Sequence, residues 1–366
     1  MTDKRVRLCF IVCDGGPAGH FAEFTKYLIS DNRLSIDIYT NEIHQAKFED
    51  LRNHERIRMF HFSLHGMNES DEDNLATKII ENCMKENVDK ILIDIGNQFD
   101  VKLARKLTNT IDFWCYYDNP EEYVPGGYSN RCIEMMSLCQ NILFANKNLA
   151  RLELDEKIIR GIGYYPIEIA EKLKQRRELE RTQLRDKYGW KNIEYIFIYF
   201  GGNNQLYYEL AFPHFLSLLS QIDQQSLHNT LFLFHQHPAA KKDNYDGNLF
   251  QNWLEKNSHI QASLSQLTSD EAQILADGIF YYQTSMAYQF ALIGIPIMQV
   301  AHKIYKDILV QHNLCHTAID LNQFENGLKL FKKQNNSMEN KQLIYDAIGY
   351  NKNWLKNFRE IVLHFE

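Results

Sequence analysis

Residues 276–300 read ADGIFYYQTSMAYQFALIGIPIMQV. A strand-like run, DGIFYY, meets a hydroxyl turn at Thr284-Ser285. A helical pattern follows from Ser285 to Leu292 and leads into a second strand-like run, IPIMQV. The helix is apolar almost all round, so it must be buried. A strand, a buried helix and a strand in direct succession form a parallel unit whose sheet is covered on both faces.

The same alternation extends outward in both directions. Upstream lie IEYIFIYF (193–200), TLFLFHQ (230–236) and HIQASL (259–264), with helical patterns over 206–221 and 270–276; a further helix is expected over 304–311. The first half repeats the scheme with RVRLCFIVC (5–13), LSIDIYT (34–40), IRMFHFSL (57–64), KILIDIG (90–96), IDFWCYY (111–117) and NILFAN (141–146). Between the halves, PIEIAEKLKQRRELERTQLRDK is charged and poor in apolar positions. It reads as a solvated linker helix whose Glu and Arg pair at i,i+4. The expected organisation is an α/β domain over 1–165, a linker helix over 166–188, a second α/β domain over 189–335, and helices over 336–366 that return to the first domain. Ligands of open α/β sheets bind outside the carboxyl ends of the strands, so the chemistry is expected in the strand-end loops of a shared crevice.

Composition narrows the function. The chain has 366 residues, a formal net charge of −7, 45% hydrophobic and 24% charged residues, which excludes disorder and coiled coil. An acidic balance argues against nucleic acid as a partner. Seven cysteines, none with CxxC spacing, read as thiols of a reducing compartment rather than a disulfide framework. No run approaches the roughly 18 apolar residues of a membrane span, and a cytoplasmic protein is expected.

Five loops carry candidate chemistry. The first strand runs into Asp14-Gly15-Gly16-Pro17-Ala18-Gly19-His20, where glycines permit close backbone approach and His20 is a candidate base kept neutral by a helix start. The fifth strand ends at Asp118, followed by Asn119-Pro120-Glu121-Glu122; a carboxylate there is either a turn former or a base in a cleft. Gly201-Gly202-Asn203 forms a second glycine loop, and His237-Pro238 closes the strand after it. Thr284 and Ser285 are helix caps that also suit an anion. His235-x-His237 has no third ligand at motif spacing, so no metal is expected. Asp94-Ile95-Gly96-Asn97 ends a strand and reads as cleft lining.

These residues resemble a GT-B glycosyltransferase. Ala276 to Val300 is similar to the donor-binding segment of that superfamily, and Gly16 to His20 to its amino-terminal glycine loop. Asp118, His237-Pro238 and Thr284-Ser285 are similar to the acidic loop, His-Pro pair and Ser/Thr pair of bacterial sialyltransferase-like enzymes, although Tyr117-Asp118-Asn119 stands where that group has Asp-Asp-Gly. The resemblance implies two facing Rossmann-like domains with an inter-domain cleft and a tail helix that crosses back. It further implies a metal-independent transferase needing no cofactor beyond its nucleotide-sugar donor, acting on a glycan, lipid-linked or protein acceptor, with peripheral membrane contact left open. Gly201, Gly202, Asn203, His237, Pro238, Thr284 and Ser285 would hold the nucleotide. Asp14, Gly15, Gly16, Gly19 and Glu122 would line the substrate, with Asp118 or His20 as the base. The alternatives are an isomerase of the UDP-sugar 2-epimerase type, which needs several acids and a histidine around the sugar, and a degenerate scaffold that only binds.

Overall fold

The computed structural model describes residues 5–108, 111, 113–121, 128–151, 158–202, 204–237, 244–333 and 341–363. The chain divides into two compact units. Unit 1 comprises Met1–Tyr165 with Ile348–Glu366, and unit 2 comprises Pro166–Ala347.

Unit 1 holds seven parallel strands: β1 (Val6–Val12), β2 (Leu34–Asn41), β3 (Ile57–Phe62), β4 (Lys90–Asp94), β5 (Phe113–Tyr117), β6 (Asn141–Phe144) and β7 (Ile158–Gly161). Their order is β3-β2-β1-β4-β5-β6-β7. The helices are α1 (Gly15–Leu28), α2 (Glu69–Lys85), α3 (Gln98–Leu107) and α4 (Tyr128–Leu138), with a 3₁₀ segment at Glu42–Leu51. Strand residues alternate between two apolar cores, one on each face. Cys9, Ile11, Ile91 and Ile93 face one; Leu8, Phe10, Val12 and Leu92 face the other. This two-sided burial explains the near-continuous apolar runs.

Unit 2 repeats the design with β8 (Tyr195–Phe200), β9 (Thr230–His235), β10 (Ala262–Leu264), β11 (Gly278–Tyr281), β12 (Ile297–Val300) and β13 (His316–Ala318), in the order β10-β9-β8-β11-β12-β13, all parallel. Its helices are α5 (Ile167–Lys187), α6 (Phe212–Leu219), α7 (Tyr245–Lys256), α8 (Ser269–Leu275), α9 (Met286–Leu292), α10 (Ile308–Gln311), α11 (Leu321–Lys333) and α12 (Lys341–Ala347). Both units are therefore Rossmann-like, as the apolar runs and the resemblance led us to expect. In both sheets the strand order reverses near the centre, between β1 and β4 and between β8 and β11, where doubly wound sheets place their ligands. No helix among the described residues is long and apolar enough to cross a membrane.

Four elements differ from the sequence reading. β7 and β13 are short edge strands that the pattern did not reveal. The segment over 304–311 is helical only from Ile308. The charged stretch expected as a solvated linker is built into unit 2 as α5. Ile167, Ala170 and Leu173 are buried, and Arg177, Arg181 and Arg185, spaced one turn apart, all meet Asp277 just ahead of β11. Arg177 also donates to the carbonyls of Gln273 and Ile274 at the end of α8. Burial and its neighbouring guanidiniums hold Arg177 down at about 10. Arg176 forms the expected i,i+4 pair with Glu180.

The chain re-enters unit 1 after α12. Asn351 donates its N–H to the Gly163 carbonyl at 2.8 Å, and both Gly163 (φ +76°) and Gly349 (φ +64°) use the left-handed backbone that glycine tolerates. The last helix, α13 (Trp354–Leu363), buries Trp354, Phe358 and Val362 at i, i+4 and i+8. Phe358 stacks on Phe24 at 4.1 Å between ring centroids. Full burial of such a side chain contributes about 1.5–3 kcal/mol.

Candidate active site

In unit 1 the loops after β1, β4 and β5 interlock. Asp14 caps α1, its Oδ1 accepting the Gly15 N–H at 2.6 Å. The sequence Asp14-Gly15-Gly16-Pro17 is thus the first turn of the helix itself, and Gly19 and His20 lie within α1. Asp94, the last residue of β4 and wholly buried, accepts the N–H of Cys13 at 3.0 Å and of Asp14 at 2.9 Å. Asp100 forms a capping box with Asn97 at the start of α3, and its Oδ2 accepts the N–H groups of Gly96 and Asn97, both at 2.8 Å. Two glycines permit the packing. A Cβ on Gly96 would lie 2.5 Å from the Asp14 Cβ, and one on Gly16 would lie 2.6 Å from Asp118 Oδ2. A Cβ on Gly15 would lie 3.0 Å from Cε1 of His44, which comes from the 3₁₀ segment after β2. Asp14, His44 and Asp118 therefore surround the Gly15-Gly16 turn, with Asp94 and Asp100 behind it.

This cluster has an acid excess, and no lysine or arginine forms an ion pair with Asp94, Asp100 or Asp118 among the described residues. Asp118 stays partly exposed as a residue, but burial of its carboxyl, reinforced by the Asp14 charge, pushes it up to about 7. Burial raises Asp100 to about 6, and burial together with Asp100 raises Asp94 well above the carboxylate range. Desolvation lowers His44, while the Asp14 charge pulls it back up. Asp118 can thus exchange a proton near neutral pH.

His20 occupies a different setting. Its Nδ1 is 2.7 Å from the Tyr116 hydroxyl, and its ring packs edge-on against Tyr164 at 4.4 Å. Desolvation in this aromatic surround lowers it to about 3. The cause is burial and not the helix start, since His20 sits beyond the first turn of α1.

In unit 2 the loops after β8, β9 and β11 share the carboxyl edge of one sheet. Gly201 donates its N–H to the His235 carbonyl at 2.9 Å, so that group is committed to the sheet rather than to a phosphate. The space above Gly201 and Gly202 is filled by Tyr207, whose hydroxyl and ring would lie 2.8 and 3.1 Å from Cβ atoms built there. Tyr207 belongs to a π-helical turn, Tyr207–Ala211, and donates to the buried Asp246 at 3.1 Å. Asp246 also accepts from Gln236 at 2.9 Å, which fixes the loop bearing His237. Asn204 donates to Gln283 at 2.9 Å and joins the β8 and β11 loops. Thr284 Oγ1 accepts the Met286 N–H at 3.3 Å, whereas Ser285 makes no side-chain cap. His237 and Thr284-Ser285 follow β9 and β11, which flank β8 and so run about 10 Å apart. Asn203, Pro238 and Glu122 lie outside the described residues.

The sequence reading missed His44 and Asp100 and treated Asp94 as lining. It also missed the loop after β12, where the buried Asp307 accepts from Tyr281 at 2.8 Å and Gln299 at 3.1 Å and holds a turn carrying the exposed His302, Lys303 and Lys306. The adjacency of β1 and β4, had it been inferred, was the signal that an acid ending β4 faces the first glycine turn.

No family model matches the sequence, and no curated protein does. Among solved structures, the chain is similar to the UDP-GlcNAc 2-epimerase of Neisseria meningitidis bound to UDP-GlcNAc, at 10% identity over 98% of this chain and 100% of that one, with a TM-score of 0.68. It is similar to the Methanocaldococcus jannaschii UDP-GlcNAc 2-epimerase in complex with UDP-GlcNAc and UDP, at 13% identity, 98% and 100% coverage and a TM-score of 0.67. It is also similar to the sucrose-phosphate synthase of Thermosynechococcus elongatus, at 12% identity, 98% coverage of both chains and a TM-score of 0.61. At these identities the likeness is one of fold: two Rossmann-like domains of the GT-B kind.

Proposed function

We propose that this chain acts on a nucleotide sugar by proton transfer at a ring carbon, as a UDP-sugar 2-epimerase does, rather than by transfer to an acceptor. The observation that carries the reading is the trio Asp14, His44 and Asp118 around Gly15-Gly16, with Asp118 raised to about 7. The fold likeness to UDP-GlcNAc 2-epimerases supports the same choice. Such an isomerase needs acids and a histidine together, and this turn supplies them.

The chemistry balances in a simple way. The C2 proton of a sugar phosphate is not acidified by a carbonyl, so the electron pair left when Asp118 removes it must form a C1–C2 double bond. The C1–O bond to the nucleotide diphosphate then breaks, and the oxygen keeps its pair. Readdition of the diphosphate with protonation of C2 from the other face completes the inversion. Asp118 is the proposed base; Asp14 and His44 orient the sugar or carry the proton. General-base help of this kind contributes about 10²–10⁴-fold in rate. In unit 2, His237, Thr284 and Ser285 are the proposed nucleotide contacts.

A transferase is the second reading, since Asp118 at that acidity could equally deprotonate an acceptor hydroxyl. A panel of UDP-, CMP-, GDP- and dTDP-linked sugars separates the two. Thermal stabilisation by one of them, with conversion to its epimer in the absence of acceptor, supports the isomerase. A new glycoside formed only with acceptor present supports the transferase, and silence across the panel refutes both.

A further inference from the structure

Behind the Gly15-Gly16 turn, Cys13, Asp94 and Asp100 offer three ligand atoms that all lie within 4.8 Å of one another. All three residues are buried, Asp94 and Asp100 completely. Four backbone N–H groups, those of Cys13, Asp14, Gly96 and Asn97, point at the two carboxylates, and the starts of α1 and α3 open from the same loops. Such donors favour the ionised form. No lysine or arginine forms an ion pair with either carboxyl group among the described residues, so a cation between them would supply the missing counter-charge.

A separate observation points into the same space. Oδ1 of Asp100 is buried and accepts no hydrogen bond, although the Cys13 thiol lies beside the carboxyl group. A native protein seldom leaves such an acceptor unserved, and an absent ion is one standard reason for it. The donor set then selects the ion. One sulfur and two carboxylate oxygens suit a borderline divalent metal, while calcium and magnesium prefer oxygen alone. Around tetrahedral zinc, such ligand atoms stand roughly 3.3–3.6 Å apart. Closure from the observed spacing therefore takes about 1.5 Å at most.

We infer that Cys13, Asp94 and Asp100 bind one zinc-like divalent cation, which ties the turn after β1 to the start of α3. Binding releases the thiol proton and leaves one coordination position for water or another oxygen donor. The inference is independent of the sugar chemistry, because it is read without substrate. The residues are 81 and 6 positions apart along the chain, so no motif spacing announces them.

The test uses the full chain. After dialysis, its metal content is measured by inductively coupled plasma mass spectrometry; the metal is then removed with a chelator and replaced by Co²⁺. The expected result is one equivalent of bound metal and a sulfur-to-cobalt charge-transfer band. That band disappears in Cys13→Ser and persists in Cys115→Ser, whose thiol lies elsewhere in the same core. If Cys13→Ser fails to fold by circular dichroism, Asp100→Asn serves in its place and should weaken Co²⁺ binding at least tenfold. Folded wild-type protein that retains no stoichiometric metal overturns the inference. So does cobalt bound without the charge-transfer band, or with a band unchanged in a folded Cys13→Ser.

Discussion

Gly16→Ala tests the candidate site without removing any functional group. A Cβ at this position would stand 2.6 Å from Asp118 Oδ2, whereas ordinary contacts begin at 3.4 Å, so the carboxylate must retreat by about 0.8 Å. Misplacement of a reacting group by about 1 Å costs up to roughly 10²-fold in rate, equivalent to about 2.7 kcal/mol. Stability should move little. Gly16 lies in the first turn of α1 with no left-handed backbone, and alanine gains up to about 1 kcal/mol of helix propensity against the steric displacement. The assay is turnover of whichever nucleotide sugar the panel identifies, beside a thermal melt. We expect kcat to fall by about 10–100-fold with Tm shifted by only a few degrees. Full activity in a normally folded Gly16→Ala would refute the claim that Asp118 works against this turn.

Three further outcomes follow from the same geometry. Asp118 is raised from the ordinary carboxylate range to about 7, so the folded state holds its proton more tightly than the unfolded chain does. Its contribution to stability is full below about pH 4 and is lost as pH rises through about 7, and urea titrations of Asp118→Asn should show that part of the decline removed. Asp277→Ala strands three partly buried guanidiniums of α5 and should lower unfolding free energy by about 3 kcal/mol in urea melts; an unchanged midpoint would mean that α5 is held by its apolar residues alone. Phe358→Ala removes a fully buried ring stacked on Phe24, with an expected loss of about 3–5 kcal/mol and faster amide exchange in α1 and β1.

The fold was legible because helices cover both faces of each sheet. Runs such as RVRLCFIVC and IEYIFIYF leave no polar face and so announce buried strands. Edge strands lack that signal: β7 is IIRG, with no fully buried residue, and β13 is only three residues long. Asp14 and Asp118 stood out because each ends an apolar run. Asp94 ends one too, but its significance lies in the pairing of β1 with β4, which periodicity does not report. His44 sits in NEIHQAKF, a stretch with no motif, and reaches the turn only through the fold. Gly201 and Gly202 show the opposite failure. A glycine pair after a strand suggests phosphate, yet here the missing side chains make room for Tyr207.

The most direct measurement is nuclear magnetic resonance of UDP-GlcNAc incubated with the protein in deuterium oxide, without acceptor. The account predicts deuterium at C2 of the sugar and in its epimer, with both signals lost in folded Asp118→Asn. Protium retained at C2, while the wild-type protein turns the same nucleotide sugar over, would contradict it.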